Sequence, residues 1–248
     1  MRRHLISVGI VVAGLLLVWA AVVGLSGVPH YILPSPRQVM AALWRQAGTL
    51  WGHFWVTAFE MVAGLLIGTA LGAISAIAMV AFRPVKRWLL PVMVISQAIP
   101  VFALAPILVL WLGYGISSKV AMAVLIIFFP VMAAFYDGLR RTDPEWLELA
   151  RVMNAPKRGI LWQIRVPAAL PALASGLRVA ASVAPIGAVV GEWVGASRGL
   201  GFYMLYSNAR MQTDVMFAAL ALLAIAALVL YFSVDRLMNH LVYWESGG

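Results

Sequence analysis

Residues that could bind a metal or perform covalent catalysis are few and scattered in this chain of 248 residues. Cysteine is absent, which excludes disulfide bonds and thiolate metal sites. The four histidines are His4, His30, His53 and His240, and no two of them have the i, i+4 spacing that places two ligands on one helix face. We therefore expect no metal site and no catalytic residue in this chain.

The signature of ATP hydrolysis is also missing. A phosphate-binding loop needs a lysine directly after a glycine-rich turn. The chain has only Lys86, Lys119 and Lys157, and none of them follows a glycine. If the protein uses ATP, we expect another subunit to hydrolyse it.

The composition indicates a membrane protein. The chain is 63% hydrophobic and 11% charged, whereas soluble domains are roughly 45–50% apolar and about 25% charged. The net charge of +9 fits basic loops that fix orientation in a bilayer better than it fits nucleic-acid binding. We therefore predict an all-α integral membrane protein.

About 20 apolar residues are needed to cross the hydrocarbon core as a helix. Six segments meet this requirement, and the first is too long for the apolar region of a signal peptide. The predicted spans are Leu5–Leu25, Phe54–Phe82, Trp88–Leu112, Val120–Tyr136, Ala168–Val194 and Met216–Val234. We treat residues 1–248 as one transmembrane domain, with a core at about 54–236, an extra N-terminal helix at about 5–25 and a polar loop at about 138–167.

The LPSP turn between the first two spans is expected to precede an interfacial helix over Ser35–Trp51.

Arginine and lysine residues divide unequally between the two sides of these six spans. One side carries the two arginines before span one, three basic residues between spans two and three, and six between spans four and five. The positive-inside rule makes that side cytoplasmic, so both termini are predicted to be cytoplasmic.

The loop between spans four and five contains RRTDPEWLELARVMNAPKRG, which predicts a helix that starts at Asp143 and Pro144. Asn154 suits a left-handed C-terminal position, and Pro156 prevents simple continuation. A second short helix over Lys157–Arg165 should end before Pro167. The first helix has an apolar face, with Glu145, Glu148 and Arg151 elsewhere; that face comprises Trp146, Leu149, Ala150 and Met153. From these patterns alone, a loop packed on its own bundle and a docking surface for a partner are equally supported.

Three charged residues fall inside or near the spans. Arg178 could line a pathway, or it could reach toward the cytoplasm and bond carbonyl groups of neighbouring helices. Glu192 could cap structure or touch a delivery protein, and structural capping is favoured. Glu60 is expected to be an interfacial carboxylate rather than part of a proton relay.

Prolines and small residues mark possible breaks and close contacts. Gln97 and Pro100 interrupt span three, and such breaks either line a cavity or form a packing kink. The Gly64, Gly68 and Gly72 stripe is expected to permit close helix packing within the subunit. One face of span five also carries mainly small residues.

The loop resembles a family signature. Permease subunits of ATP-binding-cassette importers carry E-x-A-x-x-x-G followed further on by I-x-L-P, and this chain has Glu148, Ala150, Asn154, Ile164 and, in the last two places, Val166 and Pro167. Asn154 replaces glycine and Val166 replaces leucine. Because asparagine also adopts the left-handed conformation, we expect the turn to be kept.

Longer segments resemble the nitrate, sulfonate and taurine group of these permeases, namely ILPSPRQV, QAIPVFALAPILVLWLGYG and GLRVAASVAPIGAVVGEWVGASRGLG. FYDGLRRTDP and VGEWVGASRGLGFYMLYSNARMQTDVMFAAL look most like permeases for the pyrimidine precursor of thiamine. The resemblance implies a type I importer permease fold in a bacterial inner membrane, and transport of a hydroxymethylpyrimidine-like solute. Riboflavin, sulfonate, taurine and nitrate are the alternatives.

The resemblance also implies partners and site residues. It implies a second copy of the chain, two cytoplasmic ATPase subunits that bind ATP and Mg²⁺, and an external solute-binding protein. The expected ATPase-coupling residues are Glu145, Trp146, Glu148, Leu149, Ala150, Met153, Asn154, Ala155, Pro156 and Pro167. The expected pathway residues are Gln97, Pro100, Phe102, Arg178, Pro185, Gly187, Gly191 and Glu192.

Two rival classes are less well supported. An ion-coupled transporter would show paired mid-membrane carboxylates and internal inverted repeats. A membrane enzyme would show clustered histidines or carboxylates at one membrane face. The sequence shows neither pattern.

Overall fold

The computed structural model describes residues 2–245, with side chains described for residues 13–244, and the regular elements in that range are all helices. Eleven α-helices follow one another in the described range. They are α1 Arg2–Ser26, α2 Pro36–Arg45, α3 Ala47–Ala81, α4 Arg83–Ser96, α5 Ala105–Leu112, α6 Ile116–Arg140, α7 Pro144–Val152, α8 Lys157–Gly159, α9 Val166–Trp193, α10 Leu200–Ala209 and α11 Thr213–Leu241.

Four continuous helices in the described range are long and apolar enough to cross a membrane: Ala47–Ala81, Ile116–Arg140, Lys157–Trp193 and Thr213–Leu241. They confirm the second, fourth, fifth and sixth predicted spans, although their ends differ. The first predicted span, Leu5–Leu25, is helical along α1, but its side chains before residue 13 lie outside the described residues.

The third predicted span is broken. Instead of one helix over Trp88–Leu112, the structure has Arg83–Ser96 and Val101–Leu112, which meet at 97°. Pro100 lacks an amide hydrogen and the helix stops before it. Arg83 shares a cavity with Arg165, next to the start of α9, while Tyr114 lies against Gly195, beyond the end of α9.

The 28 residues of α9 separate those two ends by about 40 Å at 1.5 Å per residue. The bent pair α4–α5 therefore starts at one end of α9 and finishes at the other. It is one bent span rather than a re-entrant loop.

The chain forms two compact units, and α3 and α11 contribute residues to both. The first unit comprises the residues up to Val56 together with Ser197–Ala224. Its core is formed by side chains of α2, the start of α3, α10 and the start of α11. Arg45 and Asp214 form an ion pair of 3.1 Å within this unit.

The predicted interfacial helix over Ser35–Trp51 is divided in the structure. Ser35 caps α2, since its hydroxyl accepts from the Gln38 amide and the Gln38 side chain accepts from the Ser35 amide. The helix ends at Arg45, and α3 begins at Ala47. The capping box was predictable from the Ser-x-x-Gln spacing that follows Pro34.

The second unit comprises Thr57–Ala196 and the residues from Ile225 onward. In it, α6 lies between the C-terminal part of α3 and α9. A Cβ atom built on Gly64 would collide with Ala123, and one on Gly72 would lie 3.0 Å from the Phe128 carbonyl oxygen. The stripe of small residues in α3 therefore packs within the subunit, which confirms the prediction.

Candidate functional site

The polar loop begins as predicted. Asp143 is the N-cap of α7, and its carboxylate accepts a hydrogen bond of 2.9 Å from the Glu145 amide. Pro144 occupies the first helical position, where its missing amide hydrogen costs nothing. The start of α7 is therefore fixed by local chemistry.

The end of α7 is fixed by Asn154, which has φ of 54°. The Asn154 amide donates to the Arg151 carbonyl at 2.9 Å, and the Ala155 amide donates to the Ala150 carbonyl at 2.9 Å. These two bonds form a Schellman motif, with asparagine in the left-handed position that usually takes glycine. The predicted sharp turn is confirmed, so the departure from the family's glycine leaves the backbone geometry intact.

The predicted apolar face of α7 is split in two. Ala150 is buried at 5% exposure, whereas Leu149 is 62% and Met153 73% exposed. Trp146 is half exposed, and Val152, which sequence reasoning missed, is the most exposed of the set at 79%. The small residue points into the protein, and the large apolar side chains form an uncovered patch on the outside.

The second arm of the loop does not end at Pro167 as predicted. Residues Lys157–Trp193 form one span-length helix, which passes through Pro167. A π-helical segment at Ile160–Arg165 precedes the proline, and the Val166 amide bonds the Leu161 carbonyl, five residues back. The wider turn changes the hydrogen-bonding register where Pro167 supplies no amide hydrogen, so the helix continues.

Arg178 is bonded to a different helix rather than to backbone carbonyls. Its Nε donates to Asp235 Oδ1 at 2.7 Å, and a terminal nitrogen donates to Asn239 Oδ1 at 2.6 Å. Asp235 and Asn239 lie four residues apart on one face of α11 and bond each other at 3.3 Å. The sequence signal for this link was an i, i+4 polar pair in the last span.

A second polar cluster lies at the other end of α9. Thr57 in α3 donates a hydrogen bond of 2.6 Å to Glu192. Glu60 is 2% exposed, so the expected interfacial carboxylate is wrong; it lies near enough to Glu192 for the two carboxyl groups to interact electrostatically. Three helices contribute to this cluster, because Lys119 of α6 lies near enough to interact electrostatically with the same two carboxyl groups.

Lys119 is buried in the first turn of α6 rather than exposed in a loop. Its ammonium group donates to the Tyr114 carbonyl at 3.1 Å and to the Gly195 carbonyl at 3.4 Å. It therefore ties the end of α5 to the end of α9. This buried cluster of acids with a lysine was not found by sequence reasoning.

Two of the pathway residues predicted on α9 lie at a close contact with another helix. Pro185, Gly187 and Gly191 are buried. A Cβ atom on Gly187 would lie 2.7 Å from Ala123 Cα, and one on Gly191 would lie 3.0 Å from Lys119 Cα. These glycines permit close approach of α6, which gives Gly187 and Gly191 a packing role within the subunit. Their predicted place in the pathway stays a prediction.

The pathway residues predicted on the broken span lie at the bend. Gln97 directly follows α4, Pro100 precedes a short 3₁₀ turn, and Phe102 lies within that turn. All three side chains are exposed. An exposed amide group in the middle of an apolar span is the feature that distinguishes this bend.

Residues 68–244 match the family described as the binding-protein-dependent transport system inner membrane component. A probable ABC transporter permease protein of Haemophilus influenzae is 54% identical over 98% of this chain and 99% of its own length. The formylaminopyrimidine transport permease protein of Halalkalibacterium halodurans is 38% identical over 93% of this chain and 92% of its own. The riboflavin transport system permease protein of Chloroflexus aurantiacus is 37% identical over 94% of this chain and 87% of its own.

Among solved structures, a chain of the MetNI methionine ABC transporter in an inward-facing conformation is similar, with a TM-score of 0.60 and 21% identity over 80% of this chain and 96% of that chain. This likeness supports the type I importer permease fold. The chain belongs to the family of binding-protein-dependent transport system inner membrane components. It is the permease subunit of an ABC importer and a multi-pass protein of the bacterial plasma membrane.

Proposed function

We propose that two copies of this permease form the pathway, and that an ATPase subunit docks on α7 of each copy and hydrolyses ATP with Mg²⁺. The observation that carries this proposal is the uncovered apolar patch of Trp146, Leu149, Val152 and Met153 on a helix whose two ends are fixed. Such a patch on a polar loop is typical of a protein interface. The fixed caps allow α7 to transmit force without unwinding.

Four further residues of the predicted coupling set lie on α7 or in the turn that follows it. Glu145 and Glu148 are exposed beside it, and Ala155 and Pro156 form the turn that follows Asn154. In this proposal the charged residues set the orientation of the ATPase, and the apolar residues provide the affinity.

Copurification with the ATPase tests the docking proposal. Leu149→Asp should abolish recovery of the ATPase in a detergent pull-down, because it places a charge at the centre of the patch. Leu149→Met is the matched control and should keep the complex, since it preserves volume and polarity. Equal recovery with both variants would overturn docking at α7.

The orientation proposal places α7 and both termini in the cytoplasm. It is supported by the basic side chains at this end of the second unit, where Arg83, Arg151, Lys157, Arg158 and Arg165 lie close together. The chain has no cysteine, so single cysteines report sidedness directly. Arg158→Cys should react with an impermeant maleimide only after the cells are opened, and Arg198→Cys should react in intact cells. The reverse pattern would contradict the orientation.

The dimer proposal places the bend of α4–α5 toward the partner copy. Its support is the exposed Gln97, a polar side chain that lipid tails would not solvate. Gln97→Cys should form a crosslink between two copies under oxidation. Leu228→Cys, exposed on α11, is the control and should stay monomeric. Crosslinking through Leu228→Cys alone would reject this arrangement.

The proposed solute is a substituted pyrimidine of the hydroxymethylpyrimidine or formylaminopyrimidine type, delivered by an external binding protein. The relatives' names support this class, since riboflavin also contains a pyrimidine ring within its fused system. Proteoliposomes with the ATPase and the cognate binding protein should hydrolyse ATP faster with a pyrimidine precursor than with riboflavin or taurine. Stimulation by taurine or riboflavin alone would assign the solute to that alternative.

A further inference from the structure

A cavity of about 720 Å³ lies at the end of the second unit that carries α7. Its walls come from the end of α3, the start of α4, α7 and the segment that leads into α9. Five basic side chains contribute to the lining, and no acidic residue does; the five are Arg83, Arg151, Lys157, Arg158 and Arg165.

Among the residues whose side chains the structure describes, these cations have no acidic partner. Within the described residues, none of the five forms an ion pair within 4.0 Å, and the ion pairs found there are Arg45–Asp214 and Arg178–Asp235. Like charges that converge on one cavity repel one another unless an anion lies between them. The cavity is therefore complementary to a negatively charged group.

The rest of the lining is apolar. Val80 comes from the end of α3, Phe82 lies between α3 and α4, and Leu161 and Trp162 come from the π-helical segment. These apolar side chains offer no favourable contact to an inorganic anion, but they can pack against the acyl chain of a phospholipid. A site with cations at one side and aromatic and aliphatic side chains at the other fits an amphiphile.

We propose that this cavity binds an acidic phospholipid of the cytoplasmic leaflet, with its phosphate among the basic side chains and the start of an acyl chain along Phe82 and Trp162. Guanidinium groups bind phosphate through paired hydrogen bonds, which suits a lining with four arginines. Leu147 and Arg151 of α7 form part of the wall. A bound lipid therefore connects α7 to the ends of α3 and α4.

Binding in the cavity can be distinguished from general attraction to a basic surface by comparing basic residues inside and outside the cavity. Arg87 and Arg236 are exposed on the side that the loop charges assign to the cytoplasm, but neither lines the cavity. They provide a matched pair for comparison with Arg83 and Arg158, which do line it and are also exposed. Each pair removes two exposed positive charges, so the change in net charge is the same.

The test uses the full-length permease purified without its ATPase, so failed ATPase docking would not affect the result. Phosphatidylglycerol or phosphatidylcholine is titrated into the micelles. The measurements are the thermal midpoint of the folded fraction and the lipid retained in native mass spectra. Phosphatidylglycerol should raise the thermal midpoint of the wild type. In the Arg83→Gln/Arg158→Gln variant, the lipid concentration that gives half of this stabilisation should be on the order of tenfold higher. Arg87→Gln/Arg236→Gln should leave it unchanged.

Four outcomes would overturn the proposal. Equal stabilisation by the two lipids would show that the head-group charge is irrelevant. An equal loss in both double variants would show only general surface attraction. Full competition by millimolar inorganic phosphate would assign the site to a free anion rather than a lipid. Retention of the lipid at the wild-type level in native spectra of the Arg83→Gln/Arg158→Gln variant would also reject the site.

Discussion

The hydroxyl group of Thr57 in α3 donates a hydrogen bond of 2.6 Å to Oε1 of Glu192 near the end of α9. Both side chains are fully shielded, and the two residues are 135 positions apart in the sequence. A buried carboxyl group needs such donors, because burial removes its hydrogen bonds to water. This bond therefore joins two spanning helices at their shared end.

Thr57→Val should destabilise the permease by about 1–3 kcal/mol, since it removes a donor from a buried carboxyl group without a large change in shape. Thermal unfolding in detergent measures the loss. Thr69→Val in the same helix is the control, because the Thr69 hydroxyl has no hydrogen-bond partner among the described residues. An equal loss in both variants would show that the Thr57–Glu192 bond does not contribute.

The Arg178–Asp235 pair should show coupling of about 1 kcal/mol in a double-mutant cycle with alanine. The expected value is modest because each side chain is about one-third exposed, at 31% and 33%, and the pair is partly solvated. Unfolding of the two single variants and the double variant gives the coupling. Additive losses would mean that the two side chains stabilise the fold independently.

Asn154→Val should uncouple ATP hydrolysis from solute while the permease still reaches the membrane. A β-branched residue at φ of 54° costs roughly 1–2 kcal/mol in the left-handed region, and the turn that orients α7 would reopen. Solute-stimulated hydrolysis in proteoliposomes is the measurement. Asn154→Gly should retain coupling, and loss of coupling in that variant would show that the asparagine side chain itself is needed.

Gly187→Ala should destabilise the second unit by about 1–3 kcal/mol, because the added Cβ atom would lie 2.7 Å from Ala123 Cα. Gly52→Ala in α3 meets nothing within 4 Å and should be neutral or slightly stabilising, as alanine favours helix. Thermal midpoints of the two variants provide the comparison. A midpoint for Gly187→Ala equal to that of the wild type would contradict the close approach of α6 and α9.

Local features of the loop were predictable from the sequence, because each depends on neighbours within a few residues. Asp143 and Pro144 start α7, and Asn154 ends it through bonds to the preceding turn. The course of the chain after Pro156 was predicted less well, since Pro167 reads as a stop. A π-helical segment accommodates that proline, and simple helix periodicity does not predict such a segment.

Long-range partners were beyond sequence reasoning. Arg178 stood out as a charge at membrane depth, but Asp235 lies 57 residues away. The partner of Lys119 was equally hidden, since its ammonium group bonds the Gly195 carbonyl, 76 residues away. Similarly, the sequence shows small residues along one face of α9. Periodicity alone does not say whether the space beside them is occupied by a solute or by α6.

The glycine contacts on both sides of α6 have a mechanical consequence. Backbone-to-backbone approach at Gly72 and Gly187 leaves no clearance for α6 to slide or rotate against α3 or α9. We therefore expect these three helices to move together during transport. We expect flexing within the second unit at the α4–α5 break beside Pro100, where the helix is already interrupted.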